Sequence, residues 1–149
     1  MSVPVWKRAE NRKLETLEKA IELAAHTIKC CDNDNVFPKR HRLSITADII
    51  KEAKSVVKLI NRANDKDLIT EYKERYQLQI KALDTIKDLE MDLQISYFAL
   101  KPNITDKKLD NWLRLIDETR TLCKKWIKSN RDERNKVLNG EIDTTKDNG

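Results

Sequence analysis

Apolar positions fall into four stretches whose spacing alternates between three and four residues, the period of a helix with one buried face. In the first, Leu14, Leu17, Ile21, Ala24, Ile28 and Cys31 share a face. Pro4 suits a first helical turn, so a start between Val5 and Arg8 is predicted. Asp32-Asn33-Asp34-Asn35 ends the helix, because these side chains compete for backbone hydrogen bonds, and Pro38 reinforces the break. Ser44 or Thr46 is expected to cap a second helix, whose buried face is Ile49, Ala53, Val56, Ile60 and Ala63, widened by Ile50 and Val57.

A third helix is predicted from Asp65 or Lys66 to about Leu100, on the order of 50 Å long. Its stripe holds Leu68, Tyr72, Tyr76, Leu83, Ile86, Leu89, Leu93 and Tyr97. Pro102-Asn103 breaks the chain, and Thr105 is expected to cap a fourth helix. There Leu109, Trp112, Leu113, Ile116, Thr119, Cys123, Trp126 and Ile127 keep one face. The expected fold is all-α, an antiparallel up-down four-helix bundle over residues 1–131. A charged C-terminal tail over 132–149 is expected to be disordered, most plainly from Asp143 to Gly149. The Asp32–Leu43 loop is long enough to carry a contact surface.

Composition supports helices. Only 2 Gly and 3 Pro occur in 149 residues, too few for the turns of a sheet protein, while 39% apolar content can fill a core. No apolar run approaches the roughly 18 to 20 residues that span a bilayer, and Met1 to Arg12 has no apolar leader core. Three cysteines, Cys30, Cys31 and Cys123, form no disulfide framework, which fits a reduced, cytoplasmic setting without membrane attachment.

Charge changes the picture more. The formal net charge is +5, and it is unevenly placed. From Asn33 to Asn64 seven bases (Lys39, Arg40, Arg42, Lys51, Lys54, Lys58, Arg62) face three acids. From Lys101 to Arg131 nine bases face four acids, whereas from Asp65 to Leu100 five bases face eight acids. Lys51, Lys54, Lys58 and Arg62 form one ridge on the second helix, and Arg120, Lys124, Lys128 and Arg131 form another on the fourth. Lys39, Arg40 and Arg42 add a basic segment just ahead of the second helix. Such ridges can neutralise phosphates and release counterions. They can equally solvate an outer face, or meet the acidic third helix of another subunit, and sequence does not separate these uses.

Catalytic signatures are scarce. His26 and Cys30 lie four apart beside Cys31, half of a metal site at most, and burial as small apolar residues is the better account of the cysteines. Asp88 and Asp92 could hold a carboxylate site, but the Glu-x-x-His signature of di-iron bundles is missing. No Gly-rich phosphate loop and no nucleophile elbow occur, so no enzyme activity, metal or other cofactor is expected. Trp112 and Trp126 sit on the fourth buried stripe, and Trp6 is placed to pack across an oligomer contact.

Two segments carry a family resemblance. Val36-Phe37-Pro38-Lys39-Arg40-His41-Arg42-Leu43-Ser44-Ile45 resembles the stretch leading into the second helix of the accessory variability determinant proteins of diversity-generating retroelements. Leu115-Ile116-Asp117-Glu118, with Leu122 and Trp126-Ile127-Lys128-Ser129, is similar to the fourth-helix signature of that family. The resemblance spans roughly residues 10–130, and related bundles encoded in ribosomal RNA intervening sequences share parts of it. Lys124-Lys125 stand where the family often has Gly-Gly, so an ordinary charged turn replaces a site of close helix approach. The resemblance implies a homo-oligomer, typically a pentamer, that has no catalysis of its own and works with a reverse transcriptase on template RNA or cDNA. The alternative expectation is a self-associating four-helix scaffold that binds another protein and has no nucleic-acid role.

Overall fold

A computed structural model describes residues 11–100 and 104–140, without the side chains of 11–14, 42 and 43. Pro4, Trp6, the Val5–Arg8 helix start, the Pro102-Asn103 break, the side chains of Leu14 and Arg42, and the segment Asp143–Gly149 lie outside the described residues. Four helices account for most of what is described: α1 (Asn11–Asp32), α2 (Ala47–Asn64), α3 (Tyr72–Ala99) and α4 (Asp106–Leu138). A 3-10 turn at Lys39–His41 and a π-helical turn at Arg42–Thr46 lead into α2. Among the described residues there is no strand, and no helix is long and apolar enough to cross a membrane. The fold is therefore an all-α helical bundle.

Each helix packs on its neighbours in sequence, and α1 closes the set against α4. That leaves α1 diagonal to α3, and α2 diagonal to α4. The core between them holds Leu23, Ile49, Ile60, Ile86, Leu89, Leu93, Trp112, Ile116 and Trp126 at most 1% exposed. Burying one such side chain stabilises the fold by about 1.5–3 kcal/mol. Phe37 and Val36 come from the connection after α1 and are buried too, Phe37 edge-on to Trp112 at 6.1 Å. The loop thus closes one end of the core, and only part of it remains to face solvent.

The buried stripe of α2 is the expected one, with Leu59 added, and Trp112, Ile116, Thr119, Cys123 and Trp126 of α4 are buried as expected. In α1 the inward face is rotated from the expected stripe. Thr16, Ala20, Leu23, Ala24, Thr27 and Cys31 are buried, while Ile21 is 49% exposed. The two threonines enter the core because their hydroxyls are satisfied. Thr27 Oγ1 donates to Leu23 O at 2.7 Å and accepts from Trp112 Nε1 at 3.0 Å; Thr16 Oγ1 donates to Leu122 O at 3.4 Å.

The third helix starts later than its periodicity suggests, at Tyr72 rather than Asp65 or Lys66. Asp67 is the reason: its Oδ2 accepts from Ile69 N at 2.9 Å, Thr70 N at 2.7 Å and Thr70 Oγ1 at 2.9 Å. Those bonds stabilise a side-chain-closed turn in place of a first helical turn. With 28 residues, α3 is about 42 Å long. Tyr76 is 40% exposed, and Arg75 and Gln79 take the buried positions near it.

Thr105 caps α4 as expected, its Oγ1 accepting from Lys108 N at 3.3 Å. Thr46 sits at the N-cap position of α2 but makes no side-chain capping bond, because the π-helical turn precedes it. The fourth helix continues past Arg131 to Leu138, so the expected domain boundary falls inside a helix. Arg134 over the Tyr72 ring, at 4.4 Å from its centroid, holds that extension against the start of α3. Gly140 at φ 76° ends it in the left-handed region that glycine enters without steric cost.

Candidate nucleic-acid interface

The outer face of α2 follows from its inner one. With Ile49, Ala53, Val56, Ile60 and Ala63 buried, helical winding carries Lys51, Lys54, Lys58 and Arg62 to the opposite side, and all four are exposed. Neighbouring members of such a ridge stand about 5–6 Å apart at their Cβ atoms. Among the described residues none of the four forms an ion pair. Asp48 in the first turn suits the positive end of the helix dipole.

The turn ahead of α2 extends this surface. Val36 N and Phe37 N both donate to Asn33 O at 2.9 Å, and Asn35 N donates to Asn33 Oδ1 at 2.9 Å. Buried Phe37 anchors the turn, and His41 N donates to Pro38 O at 2.9 Å, which closes the 3-10 turn that carries Lys39 and Arg40. Both are exposed, and Arg40 Nε donates to the His41 ring at 3.2 Å. The backbone places Arg42 at the start of the π-helical turn.

Glu52, beside Lys51 on α2, faces Asp92 of α3. Burial pushes its carboxyl up to about 8, helped by Asp92, Asp88 and Asp48. Near neutral pH it is therefore largely protonated and subtracts little from the positive potential of α2.

The second ridge is arranged differently. Arg120 is half-buried and paired with Glu90 of α3 and, at 2.8 Å, with Asp117. Lys124 lines a groove with Asp84, Lys87 and Glu90 between α3 and α4. Lys128 lines a hollow beside Glu15 and Asp132, and Arg131 is exposed. Arg120 and Lys124 thus lean toward the acidic helix, while Lys128 borders α1. Because α2 and α4 are diagonal, the two ridges do not share one face.

His26 Nε2 and Cys30 Sγ are 3.4 Å apart in a cleft also lined by Lys29, Asn33, Val36, Lys108 and Asn111. Burial lowers the His26 pKa and raises that of Cys30. The pair is then neutral imidazole and thiol, the opposite of an activated nucleophile. Cys31 and Cys123 are buried, and burial lifts both thiols to about 12. Among the described residues, no group of three or more His, Cys, Asp or Glu side chains is placed to hold a metal ion.

Two features went unread in the sequence. One is the buried polar set Arg75, Gln79 and Asn130. The other is an exposed apolar line on α3, Met91, Ile95 and Phe98, whose spacing of four and three was the available signal. In comparisons with known proteins, no family model matches this chain, and neither a curated protein nor a solved structure does.

Proposed function

We propose that this chain is a non-catalytic accessory protein that holds nucleic-acid backbone on the outer face of α2. The observation that carries the proposal is the exposed, unpaired row Lys51, Lys54, Lys58 and Arg62, continued by exposed Lys39 and Arg40. Lysine-rich rows of this kind bind phosphates as point charges and without base readout. The absence of aromatic side chains within the row argues for backbone binding over base stacking.

The resemblance to accessory variability determinants supplies the setting. The chain would act in the cytoplasm beside a reverse transcriptase, on template RNA or cDNA, as a homo-oligomer, with a pentamer the family's usual form. An antiparallel up-down course is part of the same reading. Cross-helix bonds favour it: Thr16 meets Leu122 while Thr27 meets Trp112, and Arg75 meets Asn130 while Glu90 meets Arg120. In both pairs of helices, rising numbers on one helix meet falling numbers on the other.

Fluorescence anisotropy with a single-stranded RNA oligonucleotide, across a salt series, tests the proposal. Replacing Lys51, Lys54, Lys58 and Arg62 together by Gln should flatten log affinity against log salt by about 3, at roughly 0.7 per lost contact. Helicity should not change, since all four side chains point away from the core. An unaltered slope would reject α2 as the binding face and leave the second reading, a self-associating scaffold, which the exposed line on α3 favours.

A further inference from the structure

The line Met91, Ile95 and Phe98 is 53%, 57% and 74% exposed, and it runs along the outer side of α3 toward its C-terminal end. Phe98 also lies edge-on to Tyr97, 5.6 Å between ring centroids. Asp84 and Asp88 precede the line on the same exposed side, with Lys87 beside them. Exposed apolar side chains are ordinary singly; three large ones in register on an otherwise charged helix mark a contact surface.

Three residues of apolar line fall well short of the roughly 800 Å² per partner of a stable interface. A matching helix face from another copy, laid parallel, would also bring its Asp84 and Asp88 against these like charges. An apolar segment with positive charge fits better. This chain has one ahead of α1: Val3-Pro4-Val5-Trp6, followed at once by Lys7 and Arg8.

Reach decides which copy supplies it. Trp6 is five residues before Asn11, a span of at most about 17 Å. Thr16 is level with Leu122 of α4, and Glu90 of α3 is level with Arg120. Asn11 therefore sits on one side of that level and Ile95 on the other. At 1.5 Å per residue their axial offset is roughly 20 Å. Moreover α1 and α3 are diagonal, about 13 Å apart at usual helix spacings, and the line is on the far side of α3. The segment of the same copy falls short.

We propose that the Met91–Ile95–Phe98 line seats the Val3–Arg8 segment of a second copy, with Trp6 on the apolar line and Lys7 and Arg8 toward Asp84 and Asp88. The proposal rests on the self-association in the reading above and is independent of its nucleic-acid part. Sedimentation of the full chain over a concentration series tests it. The wild type should exceed 17.5 kDa. Trp6→Ser and Ile95→Gln should each weaken association tenfold or more, and the double variant should be no weaker than either single. Lys7→Glu with Arg8→Glu should weaken association likewise, and Asp84→Lys with Asp88→Lys in the same chain should restore it. Circular dichroism should match the wild type throughout, because Ile95 is exposed; Met91→Gln repeats the test at a second position. Association that survives Trp6→Ser yet fails with Ile95→Gln overturns the segment while leaving self-association intact. A wild type that stays at 17.5 kDa at every concentration overturns both.

Discussion

Arg75 Nε donates to Asn130 Oδ1 at 2.6 Å, joining the first turn of α3 to the last third of α4 inside the core. Arg75 is 3% exposed, and among the described residues it forms no ion pair, Glu133 and Asp67 acting on it only at longer range. Its Nη1 instead donates to Ala63 O at 3.2 Å, which also accepts from Lys66 N at 3.1 Å, and to Lys66 O at 2.8 Å just past the C-terminal end of α2. The guanidinium also lies over the Trp126 ring at 5.3 Å, and Gln79 Nε2 donates to the same Asn130 oxygen at 3.1 Å. A buried cation is thus held by a helix end, an aromatic face and an amide.

Arg75→Met should therefore destabilise the protein by about 2–4 kcal/mol, since it keeps the stem but strips donors from buried acceptors. Urea unfolding measures this as a lower midpoint at unchanged slope. A loss below about 1 kcal/mol would mean that water replaces the guanidinium.

What the sequence made legible follows the same chemistry. The inner face of α2 is apolar at every position from Ile49 to Ala63, so its period, and with it the outer row Lys51, Lys54, Lys58 and Arg62, could be read directly. In α1 and α3 the core positions include Thr16, Thr27, Arg75, Gln79 and Ser96. Hydrogen bonds make these burials possible, and Thr27 to Trp112 and Arg75 to Asn130 link residues far apart in sequence. An apolar period cannot register such partners. The same is true of Arg120, whose place in a basic row was plain and whose hold on Glu90 was not.

Thr27 is tested by Thr27→Val, which preserves shape and removes the acceptor for Trp112 Nε1. The indole N–H would then be buried alone, a cost of about 1–3 kcal/mol. Thermal unfolding followed by tryptophan fluorescence should show a lower midpoint, and an unchanged midpoint would contradict the role of this bond.

Glu52 sets a pH dependence with a definite sign. Its carboxyl is pushed up to about 8, first by burial and then by Asp92, Asp88 and Asp48, against an ordinary value of 4.5. Between those values the folded state holds a proton that the unfolded chain releases, so this group's contribution falls as pH rises from about 4.5 to about 8. Glu52→Gln should leave stability unaltered near pH 4 and raise it relative to wild type at pH 8. Denaturant midpoints at the two values check this. A gain at pH 4 that disappears at pH 8 would reverse the assignment.

The two basic rows should respond unequally to mutation. Arg120 is already paired with Glu90 and Asp117, so a phosphate would have to displace two carboxylates to reach it. Arg120→Gln is expected to change RNA affinity less than twofold and stability by at most about 1 kcal/mol, the usual worth of a half-exposed pair. Lys124→Gln with Lys128→Gln lies on the helix diagonal to α2, out of reach of a strand that lies along α2 alone. The salt slope of that double variant should match the wild type, while Lys54→Gln with Lys58→Gln flattens it by about 1.4. Equal flattening by both pairs would show a strand that wraps the bundle, and α2 would then be one part of a longer path.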